Sequence, residues 1–449
     1  QTSSLRDQIA QHEQKLAAAR AARNRRQEGL ELITLGYMYR QAGQMQTALD
    51  RLNGALTLSQ NIGNQIGQAM ALNTMGRVYT DMGQEEKALD ASGRAVSLYR
   101  SLGMRQGEAN ALNNMGRAYD ELGKREEALK CLNDALAIWR DQGGAESQAP
   151  AGSARQAAMK RLGRSLPILR EANGRAGEAS TLDNLGKTYS DMGRNNEALE
   201  FFNQALPIWR DEREQSGEAL TLNNMGRAYA DLGEKRESLD VYDRALAVWR
   251  EVGNRQGEAL TLNNIGRLYR DLGQHQMALD FYNQALPIWR EVANRNGEAL
   301  ALNDIGRAYA DLGQGRKGLE SFDRALPIWR ETGARRGEAA TLNNAGRVWS
   351  DLGQVDKALD LDSRALAIWR EVQDRRGEAL ALATIGRAYS VGKQADKALA
   401  SNLAALSLAK ASGDPEIEGG IETSLMIGFR DQQRPEEAIL FGKIGRAHV

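Results

Sequence analysis

Three polar residues that recur together along the sequence could bind another molecule. Asn223, Arg227 and Asp231 are spaced four residues apart, so on a helix they would share one face. An asparagine amide can pair with the backbone of an extended chain, whatever side chains that chain carries. An arginine one turn further on can bind a carboxylate through two parallel hydrogen bonds. These residue types predict a surface suited to an extended and acidic peptide segment.

The trio returns at intervals of 40 residues. Its further copies are Asn263/Arg267/Asp271, Asn303/Arg307/Asp311 and Asn343/Arg347/Asp351, with Asn73/Arg77/Asp81 and the variant Asn113/Arg117/Glu121 nearer the N-terminus. The pattern is altered at Ile33/Tyr37/Gln41, at Asp183/Lys187/Asp191 and at Ala383/Arg387/Val391. We therefore predict a binding surface made of Asn113 and Arg117 together with the four complete trios between Asn223 and Asp351.

The same residues could instead serve the fold. An arginine and an aspartate one turn apart can pair within a helix and stabilise it by about 0.3 kcal/mol. The asparagines could cap a helix or bridge to a neighbouring one, and duplication of a repeat would copy them without selection for binding. We expect the second asparagine of each pair, at Asn224, Asn264 and Asn344, to make contacts between repeats. For the first asparagine both interpretations stay open, and we favour binding.

Each trio lies in a 40-residue unit whose apolar pattern predicts two helices. In residues 254–293, Asn254 is suited to begin the first helix as its cap, and Gly273 is suited to end it. Apolar residues at helical spacing in the first helix are Leu260, Leu262, Ile265, Leu268, Tyr269 and Leu272. Those in the second helix are Met277, Ala278, Leu279, Phe281, Tyr282, Ala285, Leu286, Ile288 and Trp289. The sequence thus predicts an all-α array of antiparallel helix pairs.

Small and aromatic residues define the contact between the two helices. Gly266, Ala278 and Ala285 let the backbones approach, with Tyr269 and Tyr282 beside them. This pattern resembles the tetratricopeptide repeat and recurs in nine units. Units of 40 residues are similar to those of kinesin light chains, of the adaptor that binds mitotic spindle-positioning peptides, and of bacterial signalling proteins.

The resemblance implies a right-handed α-solenoid in which the first helices line a concave groove. It also implies a non-enzymatic, cytoplasmic scaffold that binds a peptide or a partner protein there, and it leaves self-association open. The alternative function is a sensor or regulatory array of a larger signalling protein with a caspase-like peptidase or nucleotide-switch ATPase. Binding of nucleic acid through the arginines is a weaker reading, because an acidic residue follows most of them by one turn.

Two features of the second helices bear on packing. Tryptophans share one position, at Trp139, Trp209, Trp249, Trp289, Trp329 and Trp369, where we predict packing between repeats rather than a cofactor site. Prolines lie two residues earlier, at Pro167, Pro207, Pro287 and Pro327, where we expect them to bend the helix and curve the array.

The 40-residue spacing is interrupted once, and the repeat pattern is irregular at both ends of the sequence. Between Gly116 and Gly186 the spacing is 70 residues, which indicates either a true joint or a lesion in the sequence. The last helix, around Ile421 to Phe429, is expected to be short. The final residues, 444–449, read IGRAHV, which a common sequencing adapter also encodes; we favour that origin over a stray copy of IGRAYA. The predicted segments are a capping helix or repeat remnant at 1–23, three repeats at 24–143, a degenerate repeat lacking most of its first helix at 144–173, six repeats at 174–413 and a degenerate, truncated repeat at 414–449.

Composition narrows the possible functions. Lys+Arg and Asp+Glu each number 59, and this zero net charge argues against a non-specific polyanion binder. The lone Cys131 excludes a disulfide framework and fits a small core residue in a reducing compartment. No apolar run approaches the roughly 18 residues of a membrane helix. His12, His275 and His448 lie in unrelated contexts, so we expect no metal, no cofactor and no catalytic site.

Overall fold

A computed structural model describes residues 5–145, 175–412, 415–431 and Arg434, and these residues form twenty helices and no strand. The chain divides into two compact units, Gln1–Val248 and Trp249–Val449, and each is described by itself. The helices that begin in the first unit are α1 (Leu5–Ala21), α2 (Arg25–Gln41), α3 (Met45–Asn61), α4 (Gln65–Asp81), α5 (Glu85–Ser101), α6 (Arg105–Glu121), α7 (Arg125–Ala145), α8 (Arg175–Asp191), α9 (Asn195–Asp211), α10 (Gln215–Asp231) and α11 (Lys235–Glu251). Those that begin in the second are α12 (Arg255–Asp271), α13 (His275–Glu291), α14 (Arg295–Asp311), α15 (Gly315–Thr332), α16 (Arg335–Asp351), α17 (Val355–Glu371), α18 (Arg375–Val391), α19 (Ala395–Ser412) and α20 (Pro415–Asp431).

The helix ends follow from local sequence chemistry. The Asn254 side chain accepts a hydrogen bond from the Gly257 backbone N–H at 2.9 Å, which confirms the predicted cap. Gly273 has a φ of 72°, a left-handed conformation that favours glycine and turns the chain out of α12. Most helices have 17 residues and three-residue connections, which gives two helices per 40 residues.

The helices form an all-α solenoid of antiparallel pairs. From α2 onward, α2–α7 make three pairs and α8–α19 make six. Helix α1 packs on α2 before them, and α20 packs on α19 after them. In the first unit, the first helices α2, α4, α6, α8 and α10 contact one another in sequence. The second helices α3, α5 and α7 make no such contact among their described residues. In the second unit, α12, α14, α16, α18 and α20 contact one another, whereas the described α13, α15, α17 and α19 do not. Within each unit the first helices therefore lie on the inner side of the stack.

Tryptophan and glycine lock one pair onto the next. Trp139 packs on α8, and a Cβ added to Gly177 would lie 2.5 Å from its ring. Trp289 fits against Gly297 in the same way and is buried. These contacts confirm that the tryptophans pack between repeats. The sequence analysis missed the role of the glycine in each of these contacts.

Glycine and aromatic residues bring the two helices of a pair together. A Cβ on Gly266 would lie 2.6 Å from the ring of Tyr282, and one on Gly226 would lie 2.5 Å from Tyr242. Both tyrosines are fully buried. The close approach inferred from Gly266, Ala278 and Ala285 is therefore confirmed, with the tyrosine ring filling the space that the glycine leaves.

The stack continues across the break in the period. Helix α7 packs directly against α8, although their sequence positions flank the irregular segment. The Asn184 side chain donates to the Asn113 side-chain oxygen at 2.9 Å, as between ordinary neighbouring repeats. The predicted degenerate repeat at 144–173 and the predicted artefact at 444–449 lie largely or wholly outside the described residues, as does Pro167.

Two further predictions concern the prolines within the second helices and the length of the last helix. Pro207, Pro287 and Pro327 lie inside α9, α13 and α15, which continue unbroken past them, and the proposed curvature stays a prediction. The expectation of a short last helix is wrong, because α20 spans Pro415–Asp431 and has the standard 17 residues. Pro415 is its first residue, where the missing N–H costs no helical hydrogen bond.

Candidate functional site

The predicted asparagine ladder, defined as Asn113, Asn223, Asn263, Asn303 and Asn343, lies in the interior. All five residues are buried, with exposed fractions between 3 and 8%. The sequence analysis predicted that these asparagines face a ligand, because they lie on a different helix face from the leucines that pack. The structure instead places these side chains between the first helix, the second helix and the next repeat.

Hydrogen bonds hold the ladder amides within the array. The Trp369 indole N–H donates to the Asn343 side-chain oxygen at 2.9 Å, and the Asn343 amide nitrogen donates to Thr384 at 3.0 Å. Trp289 donates in the same way to Asn263 at 3.2 Å. An indole N–H buried without a partner is costly, so an acceptor at this position stabilises the tryptophan contact.

The second asparagines join consecutive repeats. Asn344 donates to the Asn303 side-chain oxygen at 3.0 Å, which confirms the predicted contact for Asn344. Thr341 also donates to that oxygen, at 3.2 Å. Asn114 donates to Asn73 at 2.8 Å in the first unit. In these repeats the second asparagine of the motif is thus hydrogen-bonded to the first asparagine of the preceding repeat.

Asp183 occupies the ladder position just after the break and shows what that position requires. It accepts hydrogen bonds from the Trp209 indole N–H and the Thr221 hydroxyl, each at 2.8 Å. Burial raises the pKa of the Asp183 carboxyl to about 7, although these two hydrogen bonds act in the opposite direction. The ladder position therefore has a hydrogen-bond acceptor even where its residue is an aspartate instead of an asparagine.

The predicted arginines and aspartates remain nearer to solvent and pair across repeats. Arg227 pairs with Asp191, and Arg347 lies 3.4 Å from Asp311. The further pairs of this kind are Arg117 with Asp81 and Arg387 with Asp351. Each arginine contacts the aspartate of the preceding first helix, so the predicted pairing within one helix is replaced by pairing along the row of first helices.

The remaining arginines and aspartates of the prediction lie on the same helix face. Arg267 and Arg307 are half-buried, whereas Asp231 and Asp271 are exposed. Within each unit, the structure thus buries the predicted asparagines and leaves the predicted arginines and aspartates nearer to the surface of the first helices. Most of the arginine charge on that surface is balanced by a neighbouring carboxylate.

Exposed leucines on the first helices were missed by the sequence reading. Leu220, Leu300 and Leu380 are 42, 39 and 39% exposed. Each of these leucines lies four residues before the position of the second asparagine and seven residues before the arginine of the trio. The three positions therefore share one helix face. In the second unit, Leu260 and Ala340 occupy the same position and are half-buried. We call Leu260, Leu300, Ala340 and Leu380 of the second unit the leucine row. The signal in the sequence was that these residues are spaced with the polar residues of the helix rather than with its packed residues.

The described residues contain no group of three or more His, Cys, Asp or Glu side chains arranged to hold a metal ion. Among them, no helix combines the length and hydropathy that crossing a membrane requires. Cys131 lies half-buried on α7, and burial raises the pKa of its thiol.

Two sequence-family models match the chain, and both describe the tetratricopeptide repeat. One matches residues 29–101, 155–211 and 217–291, and the other matches residues 109–141 and 339–372. The matched segment 155–211 begins inside the segment 144–173, which was predicted as a degenerate repeat. No curated protein matches the sequence.

Solved structures share the fold at low sequence identity. A Rap protein complexed with Competence and Sporulation Factor is 13% identical, with a TM-score of 0.57, over 85% of this chain and 97% of that one. Aspartyl phosphate phosphatase F from Bacillus subtilis is 14% identical, with a TM-score of 0.51, over 85 and 93%. The apo quorum sensor NprR from B. thuringiensis is 16% identical, with a TM-score of 0.51, over 78 and 99%. At these identities the similarity is one of fold.

Proposed function

The chain belongs to the tetratricopeptide repeat family, and from that premise we propose that it is an interaction scaffold. It holds an extended segment of a partner protein along the inner row of first helices. The role is binding rather than catalysis, in the cytoplasm. Pairing of the arginines with aspartates supports a protein partner over a nucleic acid, because a polyanion needs unpaired positive charge.

The observation that carries the proposal is the leucine row. In the second unit, Leu300 and Leu380 expose apolar surface at one fixed helix position, although nearly all the other leucines of the first helices are packed. Burying such a side chain against a partner yields about 1.5–3 kcal/mol. A recurring apolar residue on the inner side of the second unit therefore favours a ligand that runs along its first helices.

Helix spacing defines the form of that ligand. Packed helices lie about 8–10 Å apart, and a chain in the polyproline II conformation advances about 3.1 Å per residue with three residues per turn. A partner segment in this conformation would place every third side chain over the next residue of the leucine row. The polar residues beside the row, such as Asn264 and Arg267, would lie next to its backbone and its polar side chains.

Selection from a phage-displayed library of random peptides tests this function. The full chain is the bait, and the double variant Leu300→Ser/Leu380→Ser is the counter-bait. Peptides with apolar residues three apart should be enriched, and their affinity should fall at least about tenfold in the double variant. Leu403→Ser is the matched control, because Leu403 is 44% exposed but lies on the second helix α19. Enrichment that is absent, or that survives in the double variant, would count against the proposal.

The alternative proposal is that this scaffold is the sensor or regulatory part of a larger signalling protein. The fold is shared with the quorum sensor NprR, which is consistent with such a role. The test is to sequence the gene on both sides of the present chain. An open reading frame that continues into a peptidase or ATPase domain would support this alternative, and stop codons close to both ends would exclude it.

A further inference from the structure

In two repeats, a phenylalanine of the second helix stacks on a tyrosine near the end of the first helix. The ring centroids of Tyr189 and Phe201 lie 5.2 Å apart, with 14° between the ring planes. Those of Tyr269 and Phe281 lie 5.3 Å apart, with 8° between the planes. Both phenylalanines are half-buried. An aromatic ring at this position of the second helix therefore covers one face of the tyrosine.

Helix α5 has no aromatic residue at this position. Ala91 takes the place of Phe281, whereas Tyr79 on α4 keeps the tyrosine. A cleft with a volume of about 330 Å³ lies beside Ala91 and Tyr79. The small side chain of Ala91 accounts for this space, because a methyl group leaves unfilled most of the volume that a phenyl ring would take.

The cleft has an apolar floor and a charged rim, and it belongs to the first unit. Buried side chains form its floor, those of Leu72, Met75 and Ala91. Exposed side chains of α5 form its rim, those of Glu86, Lys87, Asp90 and Arg94. Helix α4 packs on both α3 and α5, which make no contact with each other among their described residues. Part of α4 is therefore left open between these two second helices.

A lysine approaches the face of Tyr79. The Lys87 Nζ lies 5.8 Å from the centroid of the Tyr79 ring and also donates to the Gln84 side-chain oxygen at 2.9 Å. In the second unit, lysines also approach the tyrosine where a serine replaces the phenylalanine, as Lys317 does beside Ser321 and Lys397 beside Ser401. Because Lys87 is exposed, its flexible side chain can make room for a second ring over Tyr79.

We propose that this cleft binds the ring of a phenylalanine or tyrosine from a partner protein. The ring stacks on Tyr79 as Phe281 stacks on Tyr269. The thioether of Met75 and the ammonium group of Lys87 add favourable contacts to an aromatic ring. A protein side chain is the expected occupant, because a protein side chain fills this position in the two repeats that have the stacked pair.

This inference goes beyond the proposed function. It assigns a second recognition site, which lies between α4 and α5 of the first unit, whereas the leucine row lies on first helices of the second unit. The site reads an aromatic ring rather than a series of apolar residues.

Methyl NMR of the full chain tests whether the cleft accepts a ring. The chain has 12 methionines, which are labelled with carbon-13 in their methyl groups, and Met75→Leu identifies the Met75 signal. The probe is phenol, which has the ring of tyrosine. The Met75 signal should shift through the ring current and saturate, with half-saturation at about 1–10 mM phenol. Met225 has the equivalent position on α10, where Val241 replaces Ala91, and its signal should stay in place.

Cyclohexanol, the saturated analogue of phenol, is the matched probe. It has nearly the same size but no π-face, so it should require at least about threefold higher concentration for the same saturation of the Met75 signal. Equal binding of the two probes would show an apolar cleft without preference for aromatic rings, and would overturn the proposal.

Variants of Ala91 fill the cleft from within the chain. Ala91→Phe and Ala91→Leu install residue types that α13 and α17 already have at this position, as Phe281 and Leu361. Both should abolish the response of the Met75 signal to phenol. Ala91→Ser is the matched control and should keep the response, because serine is also small. A wild-type signal that does not respond, or a response that survives in both filled variants, would overturn the proposal.

The peptide library shows whether the ring comes from a protein. Peptides that bind the wild type but not Ala91→Phe should contain Phe or Tyr, and they should bind Leu300→Ser/Leu380→Ser with unchanged affinity. If no such peptides are enriched, or if they lack aromatic residues, a protein side chain is not the occupant and the proposal fails. Because the two counter-baits change different surfaces, this failure can be told apart from failure of the proposed function.

Discussion

At the scale of single residues, one position of the second helices carries unlike side chains. Where Tyr282 and Phe322 pack against a glycine of the first helix, α17 carries Asp362 and α19 carries Asn402. Asp362 is fully buried, and its Oδ2 has no hydrogen-bond partner. Burial raises the pKa of this carboxyl to about 7, while hydrogen bonds from Asn343 and Thr384 act in the opposite direction. At a position that suits an aromatic ring, α17 therefore has a carboxyl group. In the folded state this group is either protonated or carries a buried charge, which is unfavourable.

This carboxyl predicts a pH dependence of stability. Because the pKa is raised in the folded state, folding binds a proton, and the free energy of unfolding should fall as pH rises from about 4 to about 7. Asp362→Phe should remove this contribution to the slope and stabilise the second unit by about 1–3 kcal/mol at pH 8. Chemical denaturation at several pH values measures both effects. Asp323→Asn, which changes an exposed carboxylate on α15, should leave the slope as it is; an unchanged slope in the Asp362 variant would contradict the assignment.

The buried asparagines predict a cost in stability. Asn343→Ala leaves the Trp369 indole N–H and the Thr384 hydroxyl without this partner, and should lower the free energy of unfolding by about 1–3 kcal/mol. Asn283→Ala on the exposed face of α13 is the control and should cost little. A ladder that serves only to bind a partner would give the opposite pattern, with unchanged stability and lost affinity for the selected peptides.

At the scale of helices, glycine spacing decides which surfaces meet. Gly217 lies against the ring of Trp209, so no side chain can be added there without moving the indole, whereas Gly93 on α5 has open space around it. Both are helical glycines of the first unit, and only one of them is needed for packing. The first helices from α4 to α18 therefore each have two such glycines, one under a side chain of the preceding second helix and one under a side chain of their own second helix.

Alanine substitutions at these two glycines should change the free energy of unfolding in opposite directions. Gly217→Ala should destabilise the first unit by about 1–3 kcal/mol, because the new methyl group overlaps the Trp209 ring. Gly93→Ala should stabilise it by about 0.5–1 kcal/mol, since alanine loses less backbone entropy in a helix. Urea unfolding of the two variants provides the measurement. Equal effects would show that packing on the tryptophan does not discriminate between these positions.

At the scale of the whole molecule, the stack tolerates an irregularity in the sequence. Helices α7 and α8 pack directly, and Trp139 meets Gly177 as each later tryptophan meets its glycine. In the regular units this glycine follows the tryptophan by eight residues, as Gly297 follows Trp289, but Gly177 follows Trp139 by 38. The difference of thirty residues equals the length of the segment 144–173.

Deletion of residues 144–173 should therefore preserve the fold. It joins Gly143 to Gly174 and restores the regular spacing of eight residues between tryptophan and glycine. We expect unchanged helical content per residue by circular dichroism and a melting temperature within about 4 °C of the wild type. Deletion of residues 255–271, which make up helix α12, is the contrasting variant and should destabilise the second unit. Unfolding of the first variant would show that the segment contributes to the array.

The sequence alone determined the architecture, because the physics of a repeat is local. Capping by Asn254, the turn at Gly273 and the small residues around Gly266 act within one unit, and a period of 40 residues carries them along the chain. Only the tertiary structure decided which polar residues are available to a partner. The face of Asn263 is covered by Trp289 from the second helix, and Leu300 is left exposed, because contacts between helices are absent from any single-helix pattern. The same reason explains why the arginines pair with aspartates of the preceding first helix.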